Sequence, residues 1–107
     1  MLFIMNTTMM PNTVGTYKSN LISLQEAKEL VKIEAFTSAV GHSATAELMS
    51  DVLNADIPFN RMMISLECGD KMLCLKLKPR LGEGVIIKSR DDLEKIGYDF
   101  VLISYYS

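Results

Sequence analysis

The only histidine of the chain, His42, stands in Ala39-Val40-Gly41-His42-Ser43-Ala44-Thr45-Ala46, beside a glycine and where a helix is expected to begin. Histidine is the side chain that most readily gives or takes a proton near neutral pH. Open amides at a helix N-terminus attract phosphate, so a histidine there is placed to protonate the leaving oxygen of a phosphodiester. The ordinary alternative is a histidine that merely caps the helix or faces solvent. Asn60-Arg61 supplies a guanidinium that can hold a phosphate through paired N–H donors, although a turn with a surface cation fits the same two residues. Arg80-Leu81-Gly82-Glu83-Gly84 sets a cation and a carboxylate three residues apart on a glycine-rich loop. Such a pair can clamp a phosphate and orient a hydroxyl or a catalytic histidine. As a bare pair it is equally a surface salt bridge worth roughly 0–1 kcal/mol. Asn6-Thr7-Thr8 follows an apolar run and is suited to touch a ligand from a strand end.

The bulk numbers narrow the chemistry these residues could serve. A chain of 107 residues, 49% apolar and 22% charged, is expected to form one domain with a real core. A net charge of −2 gives no global basic field for gripping duplex nucleic acid, so a nucleotide ligand would have to be small and held locally. Cys68 and Cys74 match no zinc spacing and read as reduced, buried small side chains of an intracellular protein. One histidine and scattered carboxylates form no clustered metal-ligand set. There is no G-x-S-x-G elbow, Walker loop or dinucleotide fingerprint. Met1-Leu2-Phe3-Ile4-Met5 is too short and lacks the flanks of a signal peptide, and no apolar run approaches the roughly 20 residues of a membrane span.

The elements that must position these residues follow from periodicity. Leu2 to Met5 reads as a short buried strand. Residues 9–22 read as a loop with a brief extended piece at Thr16-Tyr17. Ser23-Leu24-Gln25-Glu26 is a capping box, opening a helix to about Ile33 with Leu24, Ala27, Leu30 and Val31 on its apolar face. Phe36 to Val40 leads to the histidine. A second helix is expected from about Ser43 to Leu53, with Thr45, Leu48, Met49 and Val52 as its inner stripe. Met62 to Cys68 and Lys71 to Lys78 read as two strands of a hairpin turning at Gly69-Asp70, with Leu73, Leu75 and Leu77 facing the core. Ser89 is expected to cap a short helix, and a last strand spans about Phe100 to Tyr105. The sum is a single compact α/β domain, a mixed sheet with helices packed on it.

Taken in order, these motifs resemble those of the small viral and phage ring nucleases, the type III anti-CRISPR proteins and their CRISPR-associated relatives. The residues that carry the resemblance are Asn6-Thr7, Ser23 to Ala27, Ser38 to Ala46, Ile57-Pro58-Phe59-Asn60-Arg61, Gly69-Asp70, Arg80 to Gly84 and Tyr98-Asp99-Phe100, covering nearly the whole chain. Some relatives have Asn-Ala-Phe-Ser where this chain has Asn6-Thr7-Thr8-Met9, so the serine of that pattern is missing, and Gly82 stands at a position that varies. The resemblance implies a two-fold α/β homodimer. It implies cleavage of cyclic tetra-adenylate without metal or cofactor, giving linear products with 2′,3′-cyclic phosphate ends and so switching off type III CRISPR ancillary nucleases. It places catalysis on His42, Arg80 and Glu83, and a ligand contact on Asn6. The further expected ligand contacts are Thr7, Gly41, Ser43, Thr45, Asn60, Arg61 and Gly84. In this scheme the ribose 2′-OH attacks its own phosphorus, His42 is the general acid, Arg80 neutralises phosphate charge, and Glu83 holds His42 protonated or positions the 2′-OH. The expected partners are the ring and a second copy of the chain, in a host-cell cytoplasm, with neither duplex nor membrane. The alternative is a non-catalytic cyclic-nucleotide sensor or sponge, or a structural viral protein on the same fold.

Overall fold

Both faces of one mixed sheet are covered over its central strands, and this explains most of the apolar sequence. In the computed structural model, residues 1–77, 91, 94 and 97–106 are described. Strands β1 (Leu2–Met5), β2 (Thr16–Ile22), β3 (Phe36–Ser38), β4 (Lys71–Leu77) and β5 (Tyr98–Tyr106) form a sheet of order β2-β5-β4-β1-β3. β1 runs parallel to both β3 and β4, while β5 lies antiparallel between β4 and β2. Helices α1 (Leu24–Ile33) and α2 (Ser43–Leu53) pack on one face. There Ala27 and Val31 of α1 and Ala46, Met49, Val52 and Leu53 of α2 meet Leu2, Ile4, Leu73, Leu75 and Phe100. The alternate residues Met5, Met72, Cys74, Val101, Ile103 and Tyr105 turn to the other face. The radius of gyration, 13.5 Å, is that of a single compact domain, for which about 13 Å is usual at 100 residues.

α1 begins where the capping box puts it: Glu26 N–H donates to Ser23 Oγ (3.0 Å) and Ser23 N–H to Glu26 Oε1 (3.2 Å). α2 has the expected boundaries and ends at Asn54, which adopts a left-handed φ of 53°, a conformation asparagine tolerates better than most residues. Its buried stripe is the expected Leu48, Met49 and Val52, joined by Ala46 and Leu53, with Thr45 half-buried.

Three sequence expectations are corrected. Met62 to Cys68 is not a strand, and there is no hairpin at Gly69-Asp70. β4 already has β1 on one side and β5 on the other, so the segment cannot pair with β4 as a hairpin would require. Instead the segment lays Ile64 and Leu66 over the second face, clamped by Asn12, whose Oδ1 accepts Leu66 N–H (2.9 Å) and whose Nδ2 donates to Leu66 O (2.8 Å). The turn at Gly69 (φ 94°) delivers β4 to its place beside β5, with Gly69 N–H donating to Tyr105 O at 2.9 Å. Second, residues 16–22 are not loop but a seven-residue strand, paired with β5 from Thr16↔Tyr106 to Ile22↔Phe100. Third, Cys68 is exposed, and only Cys74 is buried as both were expected to be. Leu73 and Leu75 face the helices as expected, but Met72 and Cys74 are equally buried. β5 starts at Tyr98, earlier than expected, and Phe36–Ser38 is a strand where only a lead-in was read. Of the short helix expected from Ser89, Asp91 and Glu94 are described and are helical; Ser89 and Leu93 lie outside the described residues.

Candidate functional site

Because β4, β1 and β3 are parallel neighbours, their carboxyl ends lie along one edge of the sheet, the side on which open α/β sheets bind ligands. Asn6 and Thr7 follow β1 at this edge. Val40, Gly41 and His42 follow β3, and Ala39 N–H still donates to Ile4 O at 2.8 Å, so the two strand ends stay together. Leu77, the last residue of β4, ends on the same edge. Arg80, Glu83 and Gly84 come next in the chain and lie outside the described residues, as does Lys78.

His42 is the N-cap of α2, in extended backbone (φ −133°, ψ 124°), and its exposed side chain makes no capping hydrogen bond. The first intrahelical bond is Ala46 N–H to His42 O, 2.9 Å. The amides of Ser43, Ala44 and Thr45 therefore have no helical acceptor. The first turn also holds no acidic residue, so the helix itself does not offset the partial positive charge there.

The second wall is residues 57–62, stapled to the end of β3. Val40 and Phe59 form a parallel bridge, with Asn60 N–H donating to Val40 O (2.9 Å). Asn60 Nδ2 donates to Ser38 O at 2.7 Å. Ser38, a buried polar residue at 4% exposure, donates from Oγ to Pro58 O (2.6 Å) and accepts Val40 N–H (3.3 Å). This staple sets the aliphatic stem of Arg61 on Gly41, where a Cβ would lie 3.4 Å from Arg61 Cγ. The arginine stem thus passes alongside the backbone next to His42, at a distance that is ordinary van der Waals contact for a side chain.

Of the residues expected from sequence, Asn6, Thr7, Gly41, His42, Ser43, Thr45, Asn60 and Arg61 thus fall on or beside one edge. Asn60, expected to touch ligand, has its amide nitrogen engaged in holding the wall. Ser38 was missed as a site residue. Its one signal is a hydroxyl beside the apolar Ala39-Val40, since a buried hydroxyl needs partners, but nothing in sequence names Pro58, twenty residues on. Cys74 is no nucleophile: burial pushes its thiol up to about 12. Among the described residues, no group of three or more His, Cys, Asp or Glu side chains could hold a metal ion, and no helix is long and apolar enough to cross a membrane.

The family model described as STIV B116-like matches residues 2–100. The chain belongs to the STIV B116-like family. It is 41% identical over 111 residues to "Uncharacterized protein 26" of Sulfolobus islandicus filamentous virus, covering 98% of this chain and 94% of that one. It is 32% identical over 106 residues to "Uncharacterized protein ORF117" of Acidianus two-tailed virus, covering 95% and 91%. Both are proteins of archaeal viruses, which supports a viral affiliation. YddF of Bacillus subtilis is 34% identical over 92 residues, covering 84% of each chain. Among solved structures, B116 of Sulfolobus turreted icosahedral virus superposes with a TM-score of 0.73 over 96% of this chain and 97% of that one. At 17% identity that likeness speaks for the α/β fold alone.

Proposed function

We propose that this protein is a metal-independent ring nuclease that binds cyclic tetra-adenylate and opens it to linear products ending in 2′,3′-cyclic phosphate. The observation that carries the reading is the convergence at one sheet edge of an exposed His42, the open amides of α2 and the Arg61 stem packed on Gly41. A phosphate over the α2 N-terminus would meet backbone donors and, beside them, a group able to give a proton. The 2′-OH attacks its neighbouring phosphorus and releases its proton to solvent or to a carboxylate. The P–O5′ bond breaks, and His42 protonates the departing 5′-oxygen, leaving a 5′-hydroxyl and the cyclic phosphate. Arg61 neutralises charge on the phosphate. Arg80 and Glu83 complete the set by resemblance to the ring nucleases, as a second phosphate cation and a carboxylate directed at His42 or the 2′-OH. A two-fold dimer would present two His42 side chains to opposite phosphates of the four-membered ring. Acting in the host cytoplasm, the enzyme would remove the messenger that activates CRISPR ancillary nucleases.

The test is incubation of the purified protein with cyclic tetra-adenylate in EDTA, with His42→Ala alongside. The expected result is cleavage by the wild type, with binding retained and cleavage lost in the variant. Tight binding without turnover by the wild type would make the protein a sponge. Equal cleavage by both proteins would remove His42 from the mechanism.

A further inference from the structure

A cavity of about 430 Å³ opens beside the N-terminal turn of α2, between that helix and the Asp56–Phe59 segment. Ser43 stands at its helix end, next to His42. Glu47, four residues on, is one turn further along the same face. Asp56, Ile57 and the ring of Phe59 form the opposite wall. Ser50 lines it too, but its hydroxyl is engaged: Oγ donates to Ala46 O (2.8 Å) and accepts Ile57 N–H (2.9 Å). Glu47 and Asp56 are exposed, and among the described residues neither carboxylate has an ion-pair partner. Phe59 is 54% exposed although its backbone is fixed by the bridge to Val40, so a large apolar ring is held at the rim rather than folded away.

This combination discriminates among occupants. Two carboxylates, with no cation among the described lining residues, disfavour a phosphate here, so the charged part of a nucleotide belongs on the His42 and Arg61 side. The cavity suits the neutral part: an aromatic ring offers a stacking face to a base, and carboxylates accept from an exocyclic amine. The volume exceeds that of a single purine. We propose that this cavity is a base subsite, taking an amine-bearing purine with Phe59 as stacking platform and Glu47 or Asp56 as acceptor of the amine. This rests on the reading of the strand-end edge as a nucleotide phosphate site and names where the adjoining base lies. Phe59 and Glu47 then set base preference, while His42 and the helix amides handle the phosphate.

The test uses adenosine monophosphate and purine riboside monophosphate, which lacks the exocyclic amine, titrated into isotope-labelled protein followed by NMR. The expected result is that adenosine monophosphate moves the resonances of Ser43, Ala46, Glu47 and Phe59, and that the amine-free nucleotide binds about tenfold more weakly. Phe59→Ala and Glu47→Gln, both at exposed positions, should keep the wild-type circular dichroism and lose about tenfold in affinity for adenosine monophosphate. Equal binding of both nucleotides, or shifts that leave the cavity residues unmoved, would overturn the base subsite. Cleavage of cyclic tetra-adenylate is measured in parallel. A wild type that cuts the ring without cavity shifts keeps the nuclease reading and loses the subsite. Cavity shifts without cleavage keep the subsite and lose the nuclease.

Discussion

The two helices begin in opposite ways. At α1 the Ser23 hydroxyl and the Glu26 carboxylate each take a backbone N–H, and an acidic side chain sits in the first turn. At α2 the N-cap is His42, without a capping bond or an acidic first-turn residue. A side-chain cap contributes about 1 kcal/mol, so α2 leaves unused a stabilisation that α1 collects with common residues. One end is closed for the sake of the fold. The other is left open at the sheet edge where Asn6, Gly41 and Arg61 gather, and an anion could complete it.

This contrast can be broken in several ways. The largest effect is expected from His42→Ala. Cleavage of cyclic tetra-adenylate should fall by about 10²–10⁴, the usual worth of a general acid, while urea midpoints stay near wild type because no capping bond is lost. A larger loss of stability than of rate would make His42 a structural cap. Next comes Ser38→Ala, which removes the acceptor of the buried Val40 N–H and the donor to the part-buried Pro58 O. Chemical denaturation should register a loss of about 1–3 kcal/mol, and the contact between Arg61 and Gly41 should loosen, as a change in the Gly41 amide shift. An unchanged midpoint would remove the staple from the account. Smaller still, and opposite in sign, His42→Asp should close the α2 end in the manner of α1. It should gain about 0.5–1 kcal/mol in the same assay while weakening cyclic tetra-adenylate binding. Tighter binding by this variant would mean that the ligand phosphate sits elsewhere. The control is Ser23→Ala, expected to cost about 1 kcal/mol and to leave cleavage within twofold of wild type; a drop in rate beyond that would show the two ends to be coupled.

Where local chemistry decides a structure, the sequence carried it. The capping box located α1, the stripe of Leu48, Met49 and Val52 located α2, and Gly41-His42 was placed at a helix mouth. What depends on neighbours distant in the chain was not legible. Met62 to Cys68 has the composition of a strand, but β4 has no vacant side, and the segment became a cover for the second face. β2 is legible only at Thr16-Tyr17, because Lys18, Ser19 and Asn20 interrupt any alternation; on a strand with both faces largely exposed, nothing requires alternation. For the candidate site, residue types and order indicated the edge, and the parallel pairing of β1 with β3 and β4 explains why Asn6 and His42 share it. The role of Ser38 depends on a carbonyl twenty residues away, which no local pattern encodes.

The polar run that hid most of β2 has a further consequence. Among the described residues, the sheet ends at β2 on one side and at three-residue β3 on the other. An exposed strand edge is a template onto which other chains can polymerise. Lysine, serine and asparagine at the middle of β2 make that template a poor one, so the residues that break the strand's alternation also blunt its exposed edge.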